Sequence, residues 1–124
     1  MNNQAKHSDN QESAVRLYKA LSMFQELQNG IEVQAIMAFL LIAKHHPEPC
    51  PMREIQDTLK LARAATSRNV AKLTDVDWRG GPGLDLVLNE INSDDSRCRD
   101  CRLNKKGQAL FKRITDAIAG DNHS

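Results

Sequence analysis

The chain has 124 residues, 40% of them apolar, which suits one domain with a hydrophobic core and is too short for two independent domains. Its net charge of +1 excludes a uniformly basic protein, and three cysteines do not make a disulfide framework. The longest apolar run, residues 35–43, is far shorter than the roughly 20 residues that a membrane span needs.

The positive charge is concentrated in two segments. Residues 60–79 carry five Lys or Arg against two Asp or Glu, and residues 93–113 carry seven against three, so these segments have charges of +3 and +4. The remaining three segments each have a charge of −2. Local positive patches attract polyanions, although a solvated surface would show the same pattern.

The N-terminal part is predicted to contain one amphipathic helix. Residues 1–11 are polar, which predicts a disordered segment, and they show no secretory signal, so we expect a cytoplasmic protein. Residues 12–28 repeat apolar side chains at helical spacing, and Asn29-Gly30 ends the pattern. The apolar stripe serves either core packing or dimer contact; it comprises Ala14, Leu17, Tyr18, Leu21, Phe24 and Leu27.

Two further helices follow. Residues 32–45 are apolar on nearly every side between positions 35 and 43, which predicts a central helix covered on several faces. The prolines of HHPEPCP end it, and residues 52–60 form a short helix with Met52, Ile55 and Leu59 facing inward.

Residues 61–76 form the helix around which the chain is organised. One face contains Thr66, Asn69, Val70 and Leu73. The opposite face presents small residues and cations and can approach another surface closely, so we expect it to enter a DNA major groove. This face contains Ala64 and Arg68, flanked by Ser67, Ala71 and Lys72.

A hairpin and a last helix complete the prediction. Residues 84–90 alternate as a strand, residues 92–96 form a turn, and residues 97–103 return as a second strand, which after a helix-turn-helix predicts a wing. Asn104 can cap a helix whose apolar face contains Leu110, Phe111, Ile114, Ala117 and Ile118. The fold class is therefore α+β, mainly helical: one winged helix-turn-helix domain over residues 12–119 with a small hairpin, followed by a frayed tail at 120–124.

Two blocks of sequence resemble the MarR-type winged helix-turn-helix proteins. The first is MREIQDTLKLARAATSRNVAKL, with Ser67-Arg68 near the middle of the recognition helix. The second is DDSRCRDCRLNKKGQALFKRI, in which Asp95 and Arg97 correspond to the wing tip and Leu103 to Gly107 to the entry of the next helix. The resemblance covers residues 52–114.

The resemblance implies a homodimer on a pseudo-palindromic duplex. It implies that Arg97 probes the minor groove and that Asp95 orients it through a charge-assisted bond. The candidate DNA-contacting residues are Arg63, Ala64, Ser67, Arg68, Lys72, Asp95, Arg97, Arg99 and Lys106.

Several individual roles stay open at this point. Arg68 could bind a guanine or clamp a phosphate, and Arg63, Lys72, Lys105 and Lys106 could contact phosphates or water. We expect Trp78 to fill a core edge rather than to offer a stacking platform.

The cysteines have three possible roles. Cys98-x-x-Cys101 suggests zinc, with Cys50, His45 and His46 as completing ligands, but residues three apart on a strand point to opposite faces. The winged fold would place Cys50 near Cys101, where both could be buried thiols. Inert cysteines are the preferred interpretation over a zinc site or a redox-switched wing.

The sequence thus predicts a regulator of transcription that binds specific double-stranded DNA. The sequence shows no arrangement of catalytic residues that is typical of an enzyme, and we expect no cofactor and no membrane partner. The alternative is a winged-helix module for protein-protein contact, or an accessory DNA-binding protein of a replication or recombination assembly. The sequence does not identify the operator, the direction of regulation, or a small-molecule or protein effector.

Overall fold

The computed structural model describes the backbone of residues 3–120 and the side chains of residues 8–120. It contains helices and one antiparallel sheet with strand order β1-β3-β2. The elements in chain order are α1 (Asn3–Leu27), α2 (Val33–His45), β1 (Cys50–Pro51), α3 (Met52–Leu59), α4 (Arg63–Leu73), β2 (Val87–Ile91), β3 (Arg99–Leu103) and α5 (Lys105–Ala119). The α+β class predicted from the sequence is confirmed.

The residue contacts divide the chain into two compact units. One unit comprises residues 31–108, with α2 to β3 and the start of α5. The other comprises α1 and the part of α5 from Ala109 onward. No helix within residues 3–120 is long and apolar enough to cross a membrane.

Helix α2 supplies much of the core of the 31–108 unit. Ala35, Ala38, Phe39 and Ile42 are completely buried, as expected for a central helix. The cover predicted for several faces of α2 leaves one stripe open, since Val33, Met37 and Leu40 are 67%, 45% and 40% exposed. These three residues follow helical spacing and therefore share one open face.

Helices α3 and α4 form the predicted pair joined by a tight turn. Lys60 ends α3 in the left-handed conformation with φ of 55°, and α4 starts at Arg63. Residues 61–76 were predicted as helical, but α4 ends at Leu73 because Thr74 turns to extended backbone. The hydroxyl of Thr74 donates to the carbonyl of Ala71 at 2.7 Å, which competes with continuation of the helix. The predicted inner face of α4 is confirmed, with Thr66, Asn69, Val70 and Leu73 buried.

The wing begins later than the alternating sequence predicted. Asp85 has φ of 58°, which breaks the alternation, so that Leu86 and Val87 are both buried while Leu88 is 43% exposed. The amide of Leu86 instead donates to the carbonyl of Leu73 at 2.8 Å. Strand β2 therefore starts at Val87 rather than at Leu84.

Strand β3 pairs with β2 on one side and β1 on the other. Its partners include Asn89 in β2 and Cys50 in β1, both opposite Cys101. Strand β3 starts at Arg99 and not at the predicted residue 97, because residues 92–98 close the tip, where the Asn92 amide donates to the Cys98 carbonyl at 2.9 Å.

The remaining unit contains α1 and most of α5. Helix α1 starts at Asn3, so the prediction that residues 3–11 are disordered is wrong. An ion pair between Arg16 and Glu12, one helical turn apart at 3.1 Å, stabilises the helix. The predicted cap of α5 is confirmed, since the Gly107 amide donates to Asn104 Oδ1 at 2.8 Å. The rest of the predicted N-terminal segment, residues 1–2, and residues 121–124 of the predicted tail lie outside the described residues.

Candidate nucleic-acid interface

The outward face of α4 carries four of the predicted DNA-contacting residues. Arg63, Ala64, Ser67 and Arg68 are all exposed, while the opposite face is buried. Ala64 and Ser67 have short side chains, so a ligand could approach the helix backbone closely between the two arginines. Such a face fits a groove better than a flat partner surface.

Arg68 lies over the ring of Trp78, which follows α4 in the chain. The guanidinium carbon of Arg68 is 5.7 Å from the ring centroid, and that of Arg79 is 4.9 Å from it, so both are within cation-π range. Trp78 is 52% exposed, so the expectation that it fills a core edge is wrong. Its ring instead contacts the arginine at the centre of the outward face, a contact that helical periodicity could not predict.

Lys72 is engaged by an acidic residue from another helix. Its Nζ donates to Glu32 Oε1 at 2.7 Å, and its side chain is only 20% exposed. The hydrogen bond and charge of Lys72 lower the pKa of Glu32. The cation predicted to face phosphate is therefore neutralised from the N-cap position of α2.

Asp95 and Arg97 form the pair that the resemblance implied. Arg97 Nε donates to Asp95 Oδ1 at 3.1 Å and Nη2 to Asp95 Oδ2 at 3.2 Å, a two-bonded arrangement at the wing tip. The amide of Arg97 also donates to Asp95 Oδ1 at 3.0 Å. These bonds lower the pKa of Asp95 and raise that of Arg97, which is 87% exposed and presented outward.

Asn92 supports this tip and was not singled out in the sequence. Its Oδ1 accepts the amides of Asp94 at 2.7 Å and Asp95 at 2.9 Å, while its Nδ2 donates to Asp100 Oδ2 at 2.8 Å. The composition of this segment predicted a turn, but it did not indicate that Asn92 is the residue whose side chain holds the turn together.

The other two predicted cations differ in their contacts. Arg99 is exposed at the start of β3. Lys106 is also exposed, but its Nζ donates to the carbonyl of Leu84 at 3.1 Å and so connects α5 to the segment before β2. Lys106 thus has a structural contact in addition to its predicted role.

The structure separates the three cysteines into two environments. Cys98 is exposed near the wing tip, 3.6 Å from Asp95 Oδ2 through its Sγ, whereas Cys50 and Cys101 are buried on neighbouring strands. Burial raises the pKa of Cys50 to about 11 and that of Cys101 to about 12, which makes them poor nucleophiles. Among the described residues, Cys50, Cys98 and Cys101 do not form a ligand cluster, so the zinc set considered from the sequence is wrong.

Comparison with known proteins places this geometry in a structural class. No protein-family profile and no curated protein sequence matches the chain. A DNA complex of MepR from S. aureus matches 95% of the chain and 82% of its own length, with a TM-score of 0.61 and 14% identity. A MarR-family transcriptional regulator from Rhodococcus sp. RHA1 matches 93% and 70%, with a TM-score of 0.58 and 16% identity. The transcriptional regulator Tm0710 from Thermotoga maritima matches 94% and 70%, with a TM-score of 0.62 and 15% identity.

This chain has the MarR-type winged helix-turn-helix fold. In that MarR-type arrangement α3 and α4 are the two helices of the helix-turn-helix, and β2 and β3 form the wing. The exposed arginines of α4 therefore lie on the second helix of the helix-turn-helix, and the Asp95-Arg97 pair lies at the wing tip.

Proposed function

We propose that this protein regulates transcription by binding specific double-stranded DNA as a homodimer. The observation that carries the proposal is that one compact unit presents exposed arginines on two elements: Arg63 and Arg68 on the outward face of α4, and Arg97 at the tip of the wing. Recognition helices and wings of this kind fit the major groove and the adjacent minor groove. The DNA complex of MepR, which has the same fold, supports the choice of ligand.

Direct reading of a base falls to Arg68. It is central on the exposed face of α4, and its contact with Trp78 limits the orientations of its guanidinium. An arginine held in this way suits the two acceptors of a guanine in the major groove. Arg63 lies in the first turn of α4, and this position suits a contact with a phosphate better than a contact with a base.

The wing supplies a second kind of recognition. Arg97 is charged, outward-facing and fixed by Asp95, which suits insertion into a narrow and strongly negative minor groove. Such a contact selects A·T-rich flanks through the width of the groove rather than through hydrogen bonds to particular bases.

The exposed apolar stripe of α1 supports dimerisation. Val15, Leu17, Tyr18 and Leu21 are 50%, 56%, 71% and 44% exposed, although they lie on a helix that also has a buried face at Ala20 and Phe24. Contiguous apolar surface of this kind marks an interaction site. A second copy of the chain is the partner that a two-fold operator requires.

The first test is fluorescence anisotropy with a random-sequence duplex over a series of salt concentrations, followed by selection of an operator. We expect binding that weakens steeply with salt. Arg68→Ala should then cost roughly 1 to 3 kcal/mol on the selected operator and less on random DNA. Lys112→Ala, a charge loss outside the predicted set, is the matched control. Absence of binding at low salt would overturn the proposal.

Dimerisation is tested separately by sedimentation. We expect the full chain to sediment as a dimer, and Leu21→Glu, which places a charge in the exposed stripe of α1, to sediment as a monomer. A folded monomeric wild-type chain at micromolar concentration would contradict the homodimer without affecting the assignment of the DNA-binding surface.

A further inference from the structure

Three potential metal ligands meet where α2, β1 and α3 come together. His45 is the last residue of α2, Cys50 lies in β1, and Glu54 lies in the first turn of α3. One donor atom from each residue lies within 4.8 Å of the other two. The three residues come from three successive elements of the same compact unit, and the turn between α2 and α3 brings them together.

The donor set is that of a borderline divalent transition metal. An imidazole nitrogen, a thiolate and a carboxylate are all ligands of Zn²⁺, with bond lengths of about 2.0 to 2.3 Å. A tetrahedral ion at these bond lengths separates its ligands by roughly 3.3 to 3.8 Å. His45 Nε2 and Glu54 Oε2 are 2.7 Å apart, so an ion would need them to separate slightly.

The surroundings allow this adjustment and allow an ion to enter. The side chains of His45 and Glu54 are 28% and 30% exposed, so both can rotate toward solvent, whereas Cys50 is completely buried and fixes the inner side of the cluster. Solvent on the outer side would supply a water to a bound ion as its fourth ligand. Three protein ligands and one open position are a common arrangement for zinc.

We propose that His45, Cys50 and Glu54 form a binding site for a zinc-class divalent metal ion, completed by a water molecule. The site keeps Cys50 and His45, both considered as completing ligands from the sequence, adds Glu54, and does not use Cys98 or Cys101. This inference does not depend on the proposed function, because the metal can be measured without DNA.

Two features oppose metal binding at this site: the burial that raises the pKa of the Cys50 thiol to about 11, and the neighbouring Lys44. Its Nζ lies 3.3 Å from Glu54 Oε2, so the carboxylate already has a cationic partner. An incoming ion must displace this ammonium group, whose side chain is 57% exposed and free to move into water. Removal of this competing charge should therefore strengthen metal binding.

Metal binding would connect the helix-turn-helix to the base of the wing. Cys50 is paired in register with Cys101 of β3, while His45 and Glu54 belong to α2 and α3. An ion held by all three ligands would therefore fix β1 against both helices. Because the unfolded chain lacks the assembled site, the bound metal would stabilise the folded state.

The test is titration of the full chain with Co²⁺, which substitutes for Zn²⁺ and reports thiolate ligation through a charge-transfer band in the near ultraviolet. We expect one equivalent to produce this band together with the visible bands of a tetrahedral ion, and excess Zn²⁺ to abolish both. Cys50→Ser should lose the charge-transfer band, whereas Cys98→Ser, the matched control at the exposed wing cysteine, should keep it. Absence of the band, or its loss in Cys98→Ser with retention in Cys50→Ser, would overturn the proposal.

Two further variants separate ligation from misfolding. Glu54→Gln should weaken Co²⁺ binding at least several-fold while circular dichroism stays that of the folded protein. Lys44→Gln, which neutralises the competing cation, should strengthen it. Zn²⁺ should raise the melting temperature of the wild type and of Lys44→Gln, and leave that of Cys50→Ser unchanged. If Glu54→Gln and Lys44→Gln bind Co²⁺ with wild-type affinity, the assigned ligand set is wrong.

Discussion

The guanidinium of Arg68 lies 5.7 Å from the centre of the Trp78 ring, which connects the middle of α4 to the segment that follows it. Arg79 approaches the same ring at 4.9 Å. Exposure of the apolar Trp78 ring to water is unfavourable. The cation-π contact with this ring limits the orientations that the Arg68 side chain can adopt. Restriction before binding lowers the entropy that is lost when the side chain binds DNA.

Trp78→Ala should weaken binding to the selected operator by about two- to fivefold, the equivalent of a cation-π contact at an exposed site. The physical reason is that Arg68 loses the ring that orients it. Anisotropy with wild type, Trp78→Ala, Arg68→Ala and the double variant measures the coupling between the two residues. The fold should not change, because Trp78 is half exposed.

Arg79→Ala is the control for this cycle, since it removes the other cation on the ring and leaves Arg68 in contact with it. If Trp78→Ala costs the same affinity in the presence and absence of Arg68, the tryptophan does not act through that arginine.

The elements of this fold could be predicted because their signals are local. A continuous apolar run identified α2, apolar spacing identified α3 and the inner face of α4, and the capping side chain of Asn104 identified the start of α5. The end of α4 and the start of β2 could not be predicted in the same way. They are set by the backbone conformations of Thr74 and Asp85, which the spacing of apolar residues does not reveal. The candidate site was predicted as a set of exposed cations, and its long-range contacts were missed. The Lys72-Glu32 pair joins residues that are 40 positions apart.

Asp95→Asn should reduce the preference for A·T-rich flanks of the operator several-fold, because the amide cannot hold Arg97 through two charge-assisted bonds. Affinity for random DNA should stay equal or rise, because a negative charge has been removed near the phosphates. Competition between operators with A·T-rich and G·C-rich flanks measures the preference.

Asp94→Asn provides the matched control. It removes the same charge from the neighbouring position but leaves the bonds between Arg97 and Asp95 in place. Equal loss of flank preference in the two variants would show that charge at the tip matters and that the orientation of Arg97 does not.

Glu32→Gln should strengthen DNA binding and steepen its salt dependence. The substitution removes the carboxylate that neutralises Lys72 and leaves the lysine able to contact a phosphate. One additional phosphate contact per chain changes the slope of log K against log salt by about 0.9. Lys72→Gln is the paired variant, and we expect the double variant to return to the wild-type slope. An unchanged slope in Glu32→Gln would remove Lys72 from the interface.

The same pair predicts a pH dependence of stability. Because the pKa of Glu32 is below its usual 4.5 in the folded protein, the pair stabilises the native state above that pH. This stabilisation is lost as the pH falls through the folded-state pKa. Urea unfolding of wild type and Glu32→Gln should differ by about 0.5 kcal/mol at neutral pH, since Glu32 is largely exposed, and the difference should disappear in acid. A difference that persists well below pH 4.5 would come from another contact.

Gly83→Ala should destabilise the fold by roughly 1 to 3 kcal/mol, because a Cβ at this position has no room. It would collide with the carbonyl oxygen of Thr74 and lie 3.1 Å from that of Lys72, both at the C-terminal end of α4. Gly83 also donates its amide to the carbonyl of Asp75 at 2.9 Å, so the chain cannot move away without losing a bond. Gly81→Ala is the control in the same segment, where a Cβ would meet open space. Equal unfolding midpoints for the two variants would mean that the backbone at Gly83 can move away from the end of α4 at little cost. The close contact at Gly83 could then not fix the start of the wing against α4.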